Sequence, residues 1–288
     1  MKKILVQLDT DPQPSVFDRV VAVDAGADEV FAYGSVTPDH VEGLVHGAMF
    51  TRGPKDLKNT AVFVGGRDVE AGQKVLDRAV KAFFGPIRVS LMIDCNGSNT
   101  TAAAAVLAAG RHVDLSKCTA VVFGGTGPVG QKVGELVASA GGTVRITSRD
   151  RERAEEICEA IRVRVPGGKF EPHETASREG KAAAVAGVQA VFAAGAAGVQ
   201  FLTAKEWTGM DKLKVAVDLN AVPPAGVEGI ELKDDGTERH GVACYGALGV
   251  GGHKMKIHKA AVARLFEAND RVFDLPAIYA LGQELLEA

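Results

Sequence analysis

A strand, a glycine-rich turn and a helix are predicted one after another from residue 119, and this order restricts the fold more than any other feature. The apolar run at 119–123 is typical of a buried strand, and the stretch after the turn has a helical pattern. The turn has the spacing G-x-G-x-x-G. In a dinucleotide-binding βαβ unit the glycines allow the tight turn, the approach of a pyrophosphate and close helix packing, and the helix N-terminus favours the anionic group. A purely structural turn is the alternative. We predict a dinucleotide site at Gly125, Thr126, Gly127, Pro128, Val129 and Gly130.

The residues after the next predicted strand indicate which dinucleotide is bound. In NAD sites an acidic residue about 20 positions after the glycines bonds the ribose hydroxyls. This chain has Ser148 and Arg149 there. A hydroxyl and a guanidinium can bond a 2′-phosphate, which a carboxylate would repel. We therefore predict NADP, with Ser148, Arg149 and Arg153 among its ligands. The alternative is a solvated helix start, although arginine is unfavourable at that end of the helix dipole.

Short β-rich runs alternate with helical patterns along the whole chain, which indicates a parallel α/β architecture with helices covering the sheets. An alanine-rich helix at 102–109 separates a first series of strands from a second. The predicted strands are 3–8, 29–33, 60–64, 88–93, 119–123, 143–147, 169–173, 189–193 and 214–218.

This alternation predicts two domains. A first α/β domain is expected at 1–113 together with 252–288, and a Rossmann-type, doubly wound domain at 114–251. Two final helices, near 252–268 and 274–287, have no predicted strand after them. We expect them to pack back on the first domain, or across the hinge.

Composition and charge exclude several classes of protein. The 33 basic and 36 acidic residues leave a net charge of −3, which gives no basic field for nucleic acid. Four scattered cysteines without a C-x-x-C pair indicate reduced thiols in the cytoplasm. Asp9 ends the first apolar run before a signal core could form, and no stretch is apolar enough to span a membrane. His253 and His258 lie off the spacing that would place both on one helix face, so no metal is expected.

The loops after the later strands of the second series are built from small residues. Ala193-Ala194-Gly195-Ala196 follows one strand, and Asp218-Leu219-Asn220-Ala221 follows the next. Ligands of open α/β sheets lie at these carboxyl ends. We therefore predict that the nicotinamide half of the cofactor has Ala194, Gly195 and Asn220 as neighbours, with plain turns as the alternative.

Several further motifs together resemble one enzyme family. They include the polar loop at 94–101, Asp9-Thr10-Asp11, and the glycine-rich run at 246–252 followed by Lys254. With the glycine turn, these motifs make nearly the whole chain similar to the NADP-dependent methylene-tetrahydromethanopterin dehydrogenases of one-carbon metabolism. The resemblance implies a two-domain enzyme that holds a reduced pterin against the nicotinamide. It also implies a homo-oligomer, either a trimer or a hexamer.

The reaction implied by the resemblance is reversible hydride transfer during formaldehyde oxidation. The methylene carbon between two pterin-side nitrogens gives hydride to NADP⁺ and leaves a methenyl cation shared by those nitrogens. No proton moves in that step, so the protein supplies mainly alignment and electrostatics. Tetrahydromethanopterin is the expected carrier and tetrahydrofolate the alternative. No Tyr-x-x-x-Lys pair is present, so hydrolysis of the methenyl product is not expected.

The guanidine-like edge of such a pterin requires hydrogen-bond acceptors. Carboxylates, amides and hydroxyls at predicted strand and helix ends can supply them, although turn formation and helix capping would explain the same residues. The candidate substrate ligands are Asp9, Asp18, Asp94, Asn96, Ser98, Asn99 and Thr101. Lys254 is the candidate catalytic residue, because we expect it at a helix start, where a lysine is unfavourable, and assign it to orienting a pterin carbonyl. A surface lysine is the alternative.

Two other functions compete with this one. A shikimate-dehydrogenase-like enzyme would share the two-domain layout, but it should use a Lys and Asp pair for proton transfer, and no convincing pair is found. A non-catalytic NADP-sensing protein would keep the glycine turn but would not need the polar loop at 94–101.

Overall fold

The chain folds into two compact units in a computed structural model that describes residues 1–287. The first unit contains Met1–Thr100 and the segment from Met255 onward, and the second contains Thr101–Lys254. The predicted boundary near 113 differs from this division, because the alanine-rich helix packs with the second unit from Thr101 on.

Ten helices and twelve strands make up the described chain. The helices are α1 (Val16–Asp24), α2 (Pro38–Phe50), α3 (Val69–Lys81), α4 (Ser98–Gly110), α5 (Pro128–Ser139), α6 (Arg151–Arg164), α7 (Arg178–Val185), α8 (Ala204–Thr208), α9 (Ala247–Arg264) and α10 (Leu275–Glu287). The strands are β1 (Ile4–Asp9), β2 (Glu29–Tyr33), β3 (Thr60–Gly65), β4 (Ser90–Ile93), β5 (Thr119–Phe123), β6 (Thr143–Ser148), β7 (Lys169–Glu174), β8 (Ala190–Ala193), β9 (Val215–Asp218), β10 (Asp235–Arg239), β11 (Val242–Tyr245) and β12 (Val272–Phe273).

The first unit contains a parallel five-stranded sheet in the order β12-β4-β3-β1-β2. Counted along the unit, this is the doubly wound order 2-1-3-4-5, whose connections reverse between β1 and β3. Ligands of such sheets bind at the carboxyl ends of the strands beside that reversal. The strand β12 was not predicted, because two residues are too few to show a period. It follows α9, so the expectation that no strand follows the final helices is wrong for α9.

The second unit contains a seven-stranded sheet in the order β10-β11-β9-β8-β5-β6-β7. All its pairs are parallel except β10 with β11. The part β7-β6-β5-β8-β9 has the Rossmann order, with its reversal between β5 and β8. The predicted doubly wound α/β class is therefore confirmed. The hairpin of β10 and β11 was missed because Asp235–Arg239 is polar and has no apolar alternation.

Apolar helix faces cover both sheets. In the first unit, Val64 of β3 packs in one cluster with Val45 of α2 and Val75 of α3. Helix α3 begins after Asp68, whose side chain accepts a hydrogen bond from the backbone N–H of Ala71 at 2.9 Å. In the second unit, the buried Trp207 belongs to the core and donates from Nε1 to the Glu228 carbonyl.

Helix α1 turns its apolar stripe outward. Its valines recur at helical spacing, yet Val16, Val20 and Val23 are 67%, 56% and 56% exposed. The buried side of α1 consists of Val21 and Ala22. A surface of this kind is unusual for a monomer.

Candidate functional site

The glycine turn joins β5 to α5 with the geometry that its spacing predicts. A side chain at Gly130 would place its Cβ 2.5 Å from the carbonyl oxygen of Gly124 and 2.8 Å from the Cα of Gly125. The third glycine is therefore required for the close approach of helix and strand. The first glycine of the motif also has little room for a side chain, because a Cβ at Gly125 would lie 3.0 Å from Cγ2 of Ile146.

Gly127 is less restricted by its own backbone than the other two glycines of the motif. Its backbone is extended, with φ −83° and ψ 167°, which any residue can adopt. An added Cβ would lie 3.3 Å from the Gly124 carbonyl oxygen and 3.9 Å from that of Ala194. No side chain caps α5, so backbone N–H groups of its first turn remain available to another acceptor. An anionic group fits this turn, and it would occupy the space that a larger side chain would fill.

The residues expected to bind the 2′-phosphate of NADP lie at the end of β6 and at the start of α6. Arg151 forms an ion pair with Glu155, and Arg153 forms one with Glu156, both at 2.9 Å. Arg149 is exposed and makes no ion pair with the residues that the structure describes. Ser148 accepts a hydrogen bond from the backbone N–H of Asp150 through Oγ. Of the three predicted phosphate ligands, Arg149 is thus the guanidinium not held by a carboxylate, whereas Arg153 already has a partner.

The loop after β8 packs directly against the glycine turn. A side chain at Gly124 would collide with Gly195, and one at Gly195 would collide with the ring of Phe201. That ring stacks on Phe123 with centroids 5.3 Å apart. The backbones of the loops that follow β5 and β8 are therefore in direct contact. This contact lies at the reversal point of the sheet, where a dinucleotide binds in this fold. Ala194 lies in the same loop.

Asn220 is placed beside this edge, but its side chain is already used. Its Oδ1 accepts from the backbone of Val222 at 3.0 Å and of Gly198 at 3.4 Å, and its Nδ2 donates to the Pro224 carbonyl at 2.9 Å. Asp218, which precedes it, accepts from the backbone of Val227 and of Asn220 itself, and burial raises the pKa of that carboxyl. The two side chains shape the loop that lines a cavity of about 460 Å³.

In the first unit, the carboxylate of Asp9 is buried at the end of β1. Its Oδ1 accepts from the backbone of Asp11 at 2.9 Å, and its Oδ2 accepts from the backbone of Ser15 at 3.0 Å and from Gln7 Nε2 at 3.3 Å. These bonds fix the turn between β1 and α1. Asp9 is therefore engaged with the protein on both oxygens, which sequence reasoning could not show.

Asp18 is the more accessible carboxylate at this edge. It lies in the first turn of α1 and is half-buried. A Cβ at Gly65, the last residue of β3, would lie 3.3 Å from Oδ2 of Asp9 and 3.6 Å from Oδ2 of Asp18. The glycine thus leaves room beside two carboxylates at the reversal point of the first sheet. This is the ligand-binding position of the doubly wound order.

The polar loop after β4 is organised by Asp94. Its Oδ1 accepts from the backbone N–H groups of Asn99 and Thr100 at 2.9 Å and 3.1 Å, and its Oδ2 accepts from Thr100 Oγ1 at 2.6 Å. His258 Nδ1 lies 3.6 Å from the same Oδ2. Asp94 therefore caps α4 from inside the fold. His258 was missed because a single histidine in a helix gives no pattern in a sequence.

The other predicted substrate ligands have different environments. Ser98 is buried and donates to the Cys95 carbonyl at 2.7 Å. Asn99 is buried and donates from Nδ2 to the Ile93 carbonyl, but among the described residues nothing donates to its Oδ1. Asn96 is exposed in a left-handed conformation with φ 54°, and Thr101 is half-buried in α4.

Lys254 does not lie at a helix start, so that expectation is wrong. Helix α9 begins at Ala247, and Lys254 follows two turns later, four residues before His258. The helix begins early because Gly246 and Gly249 let it pack against the segment at 231–235, where side chains would collide with the carbonyls of Glu231 and Asp234. The helix dipole therefore gives no reason to single out Lys254. Its assignment as the catalytic residue rests on the family resemblance.

Within residues 1–287, no group of three or more His, Cys, Asp or Glu side chains is arranged to hold a metal ion. No helix in the same range is long and apolar enough to cross a membrane.

Comparison with known proteins identifies the family. The sequence profile described as methylene-tetrahydromethanopterin dehydrogenase, N-terminal, matches residues 16–96. The chain is 45% identical over 288 residues to the bifunctional protein MdtA of Methylorubrum extorquens, with 99% of both chains covered. It is 32% identical over 294 residues to the NAD(P)-dependent methylenetetrahydromethanopterin dehydrogenase of that organism, again with 99% of both covered. The chain belongs to the methylene-tetrahydromethanopterin dehydrogenase family.

Solved structures extend this family's fold to more distant enzymes. Quinate dehydrogenase from Corynebacterium glutamicum gives a TM-score of 0.50 at 13% identity, covering 100% of this chain and 99% of that one. Shikimate 5-dehydrogenase from Listeria monocytogenes gives 0.50 at 13% identity, covering 99% and 96%. At such low identity these likenesses show the fold alone.

Proposed function

We propose that the protein is an NADP-dependent methylene-tetrahydromethanopterin dehydrogenase, which converts the methylene pterin and NADP⁺ reversibly to the methenyl pterin and NADPH in formaldehyde oxidation. The observation that carries the proposal is the full-length identity of 45% and 32% to two family members. When bound, NADP⁺ supplies the hydride acceptor. The protein has no proton to move in this step, so its residues bind, orient and exclude water.

The second unit holds the cofactor in this proposal. The backbone N–H groups at the start of α5 receive the pyrophosphate, and Gly127 leaves the space for it. Arg149 receives the 2′-phosphate, supported by the absence of a competing carboxylate partner among the described residues. The loops that contain Ala194, Gly195 and Asn220 lie next to the nicotinamide half of the cofactor.

The first unit holds the pterin in this proposal. A pterin presents N–H donors along its guanidine-like edge, and these require acceptors. Asp18 offers a half-buried carboxylate, and the buried Oδ1 of Asn99 and Oε1 of Gln7 have no donor among the described residues. A buried acceptor without a donor is costly, so a ligand that supplies one is favoured. Lys254, which is the last residue of the second unit, keeps its assignment to a pterin carbonyl from the family resemblance alone.

The enzyme is proposed to act as a homo-oligomer in the cytoplasm. The exposed stripe of Val16, Val20 and Val23 on α1 lies beside Glu29 and Val30 of the edge strand β2, with which it lines one surface cavity. An apolar surface beside an open sheet edge favours association, and a second copy is the occupant that the family resemblance implies. Light scattering on wild type and Val20→Asp tests this, and an unchanged mass would remove α1 from the interface.

A direct assay tests the proposed reaction. Purified protein is mixed with NADP⁺ and methylene-tetrahydromethanopterin, and separately with methylene-tetrahydrofolate, while the absorbances of NADPH and of the methenyl product are followed. We expect both signals to rise together, with the methanopterin carrier preferred. Turnover with the folate alone would move the function to the second candidate, a methylene-tetrahydrofolate dehydrogenase. No turnover with either carrier would refute the proposal.

A further inference from the structure

His258 is a buried histidine in the first unit to which no role has been given so far. Its side chain is 1% exposed. The ring stacks on Phe63 of β3, with centroids 5.8 Å apart and an angle of 11°, and it meets Phe17 of α1 edge-on at 6.3 Å. These two rings hold the imidazole plane between the first helix and the sheet.

A polar contact of this ring is with the residue that organises the loop after β4. Nδ1 of His258 lies 3.6 Å from Oδ2 of Asp94. That carboxylate is buried and holds the first turn of α4 through Asn99 and Thr100. A buried carboxylate needs donors around it to keep its charge, and its orientation follows from where they lie. Oδ2 accepts a hydrogen bond from Thr100 of α4, and His258 of α9 is its neighbour at a distance slightly longer than a hydrogen bond.

The loop between Asp94 and α4 is held by hydrogen bonds to Asp94. Asn96 and Gly97 both have left-handed backbones, with φ 54° and 59°, a conformation that asparagine and glycine adopt more readily than other residues. Asn99 follows two residues after Gly97, and its backbone N–H donates to Asp94 while its Nδ2 donates to the Ile93 carbonyl. Its Oδ1 is buried and has no donor among residues 1–287, so it is an acceptor that still lacks a hydrogen bond.

We propose that His258 is a positioning residue of the pterin site, which holds Asp94 in the orientation that caps α4 and so places Asn99 to accept a hydrogen bond from the bound pterin. The inference rests on the proposed function. His258 does not touch the pterin and takes no part in hydride transfer. Its effect is therefore on pterin binding, and the NADP site in the second unit is not affected.

Two substitutions at one position separate the polar contact from the packing. His258→Phe keeps a ring between Phe17 and Phe63 but removes the nitrogen that faces Asp94. His258→Asn removes the ring but keeps an N–H at the position of Nδ1. We expect His258→Phe to raise the KM for the methylene pterin about tenfold with a smaller change in kcat, and His258→Asn to recover most of that loss. The Kd for NADP⁺, measured by calorimetry without pterin, should stay within about twofold of wild type in both.

The outcomes are distinct from those of the function assay. Wild type that turns over no methylene pterin refutes the proposed function, whatever the variants do. An active wild type with an unchanged pterin KM in His258→Phe overturns the positioning role, as does an equal loss of pterin and NADP⁺ affinity. If His258→Phe does not fold, His258→Asn is compared with His258→Gln, whose amide nitrogen lies one bond further out. The proposal then requires the asparagine variant to bind pterin more tightly, and equal affinities refute it.

Discussion

Arg149 is the residue at which the choice of cofactor is tested most directly. It would contact a group that NADP⁺ has and NAD⁺ lacks, so its loss should affect one affinity and not the other. A charge-assisted hydrogen bond contributes about 1.5 to 3 kcal/mol. Arg149→Ala should therefore raise the KM for NADP⁺ roughly tenfold to a hundredfold and leave a weak NAD⁺ reaction unchanged. Arg151→Ala is the matched control, because that arginine pairs with Glu155 instead. An equal loss with both cofactors would assign Arg149 to the fold.

Gly127 tests the pyrophosphate contact. Its extended φ and ψ are open to any residue, and an added Cβ has the Gly124 carbonyl oxygen as its nearest neighbour at 3.3 Å, which is a tight contact. The branched side chain would fill the space beside the first turn of α5. Gly127→Val should therefore weaken NADP⁺ binding at least tenfold, or about 1.4 kcal/mol, with the fold kept and the unfolding temperature lowered by that contact. Calorimetry gives the affinity, and unchanged binding in a folded variant would move the nucleotide away from this turn.

Lys254 is tested by separating the two substrates. Lys254→Ala should lower pterin affinity or turnover about tenfold while NADP⁺ binding stays near wild type, because the amine is proposed to touch the pterin alone. Lys256→Ala, two residues further along α9 and exposed, is the control. Wild-type rates at sub-saturating pterin in Lys254→Ala would make the residue a surface lysine.

The residue types were easier to predict than their roles. Asp9, Asp18 and Asp94 were selected because carboxylates suit a pterin, and all three lie at the carboxyl edge of the first sheet or at the start of α1. The structure then shows Asp9 and Asp94 buried and held by hydrogen bonds within the protein, whereas Asp18 is half-buried. A sequence identifies a carboxylate but does not say which donors surround it. His258 illustrates the converse, because its contacts join segments far apart in the chain.

At the scale of elements, long periodic segments were predicted well and short or polar ones were not. Nine strands of the two sheets follow from apolar runs between helical patterns. The strand β12 and the hairpin of β10 and β11 were missed, since each depends on pairing with distant strands and has no periodic signal of its own. The start of α9 was misplaced for a related reason. Glycines at and after its start suggest a loop, but Gly246 and Gly249 are required by close contact with the 231–235 segment.

Two glycines, one just before α9 and one within it, should respond oppositely to the same substitution. A Cβ at Gly246, just before the helix, would collide with the Glu231 carbonyl, whereas one at Gly252 meets nothing within 4 Å. Gly252→Ala should stabilise the helix by about 1 kcal/mol, because alanine has the higher helix propensity. Gly246→Ala should lower the unfolding temperature instead. Thermal unfolding of both variants decides this, and a stabilising Gly246→Ala would show that the packing of α9 is wrongly described.

At the scale of the whole molecule, the two units are of the same doubly wound type, and each carries its candidate site at the carboxyl edge beside the reversal of its sheet. This common plan explains why fold class and family could be inferred from the sequence. Ligand position follows from strand order, and strand order follows from the alternation of strands and helices. What the sequence lacks is the set of contacts that tie distant segments together, such as the bond of 2.8 Å between His112 Nε2 and Tyr245 Oη.

The response of the molecule to acid follows from histidines whose pKa is lowered by the fold. Burial lowers the pKa of His173, aided by the nearby Arg145, and burial with Arg111 lowers that of His112, in each case from an ordinary 6.5. The unfolded chain then binds protons more readily than the folded one as the pH falls below about 6.5. Stability is therefore fully present above that pH and is lost as the pH falls through the lowered values. The unfolding temperature of wild type should drop between pH 7.5 and 5.5, and His173→Gln, which cannot take up the proton, should drop less. Parallel decreases in the two proteins would show that His173 does not contribute to the acid response.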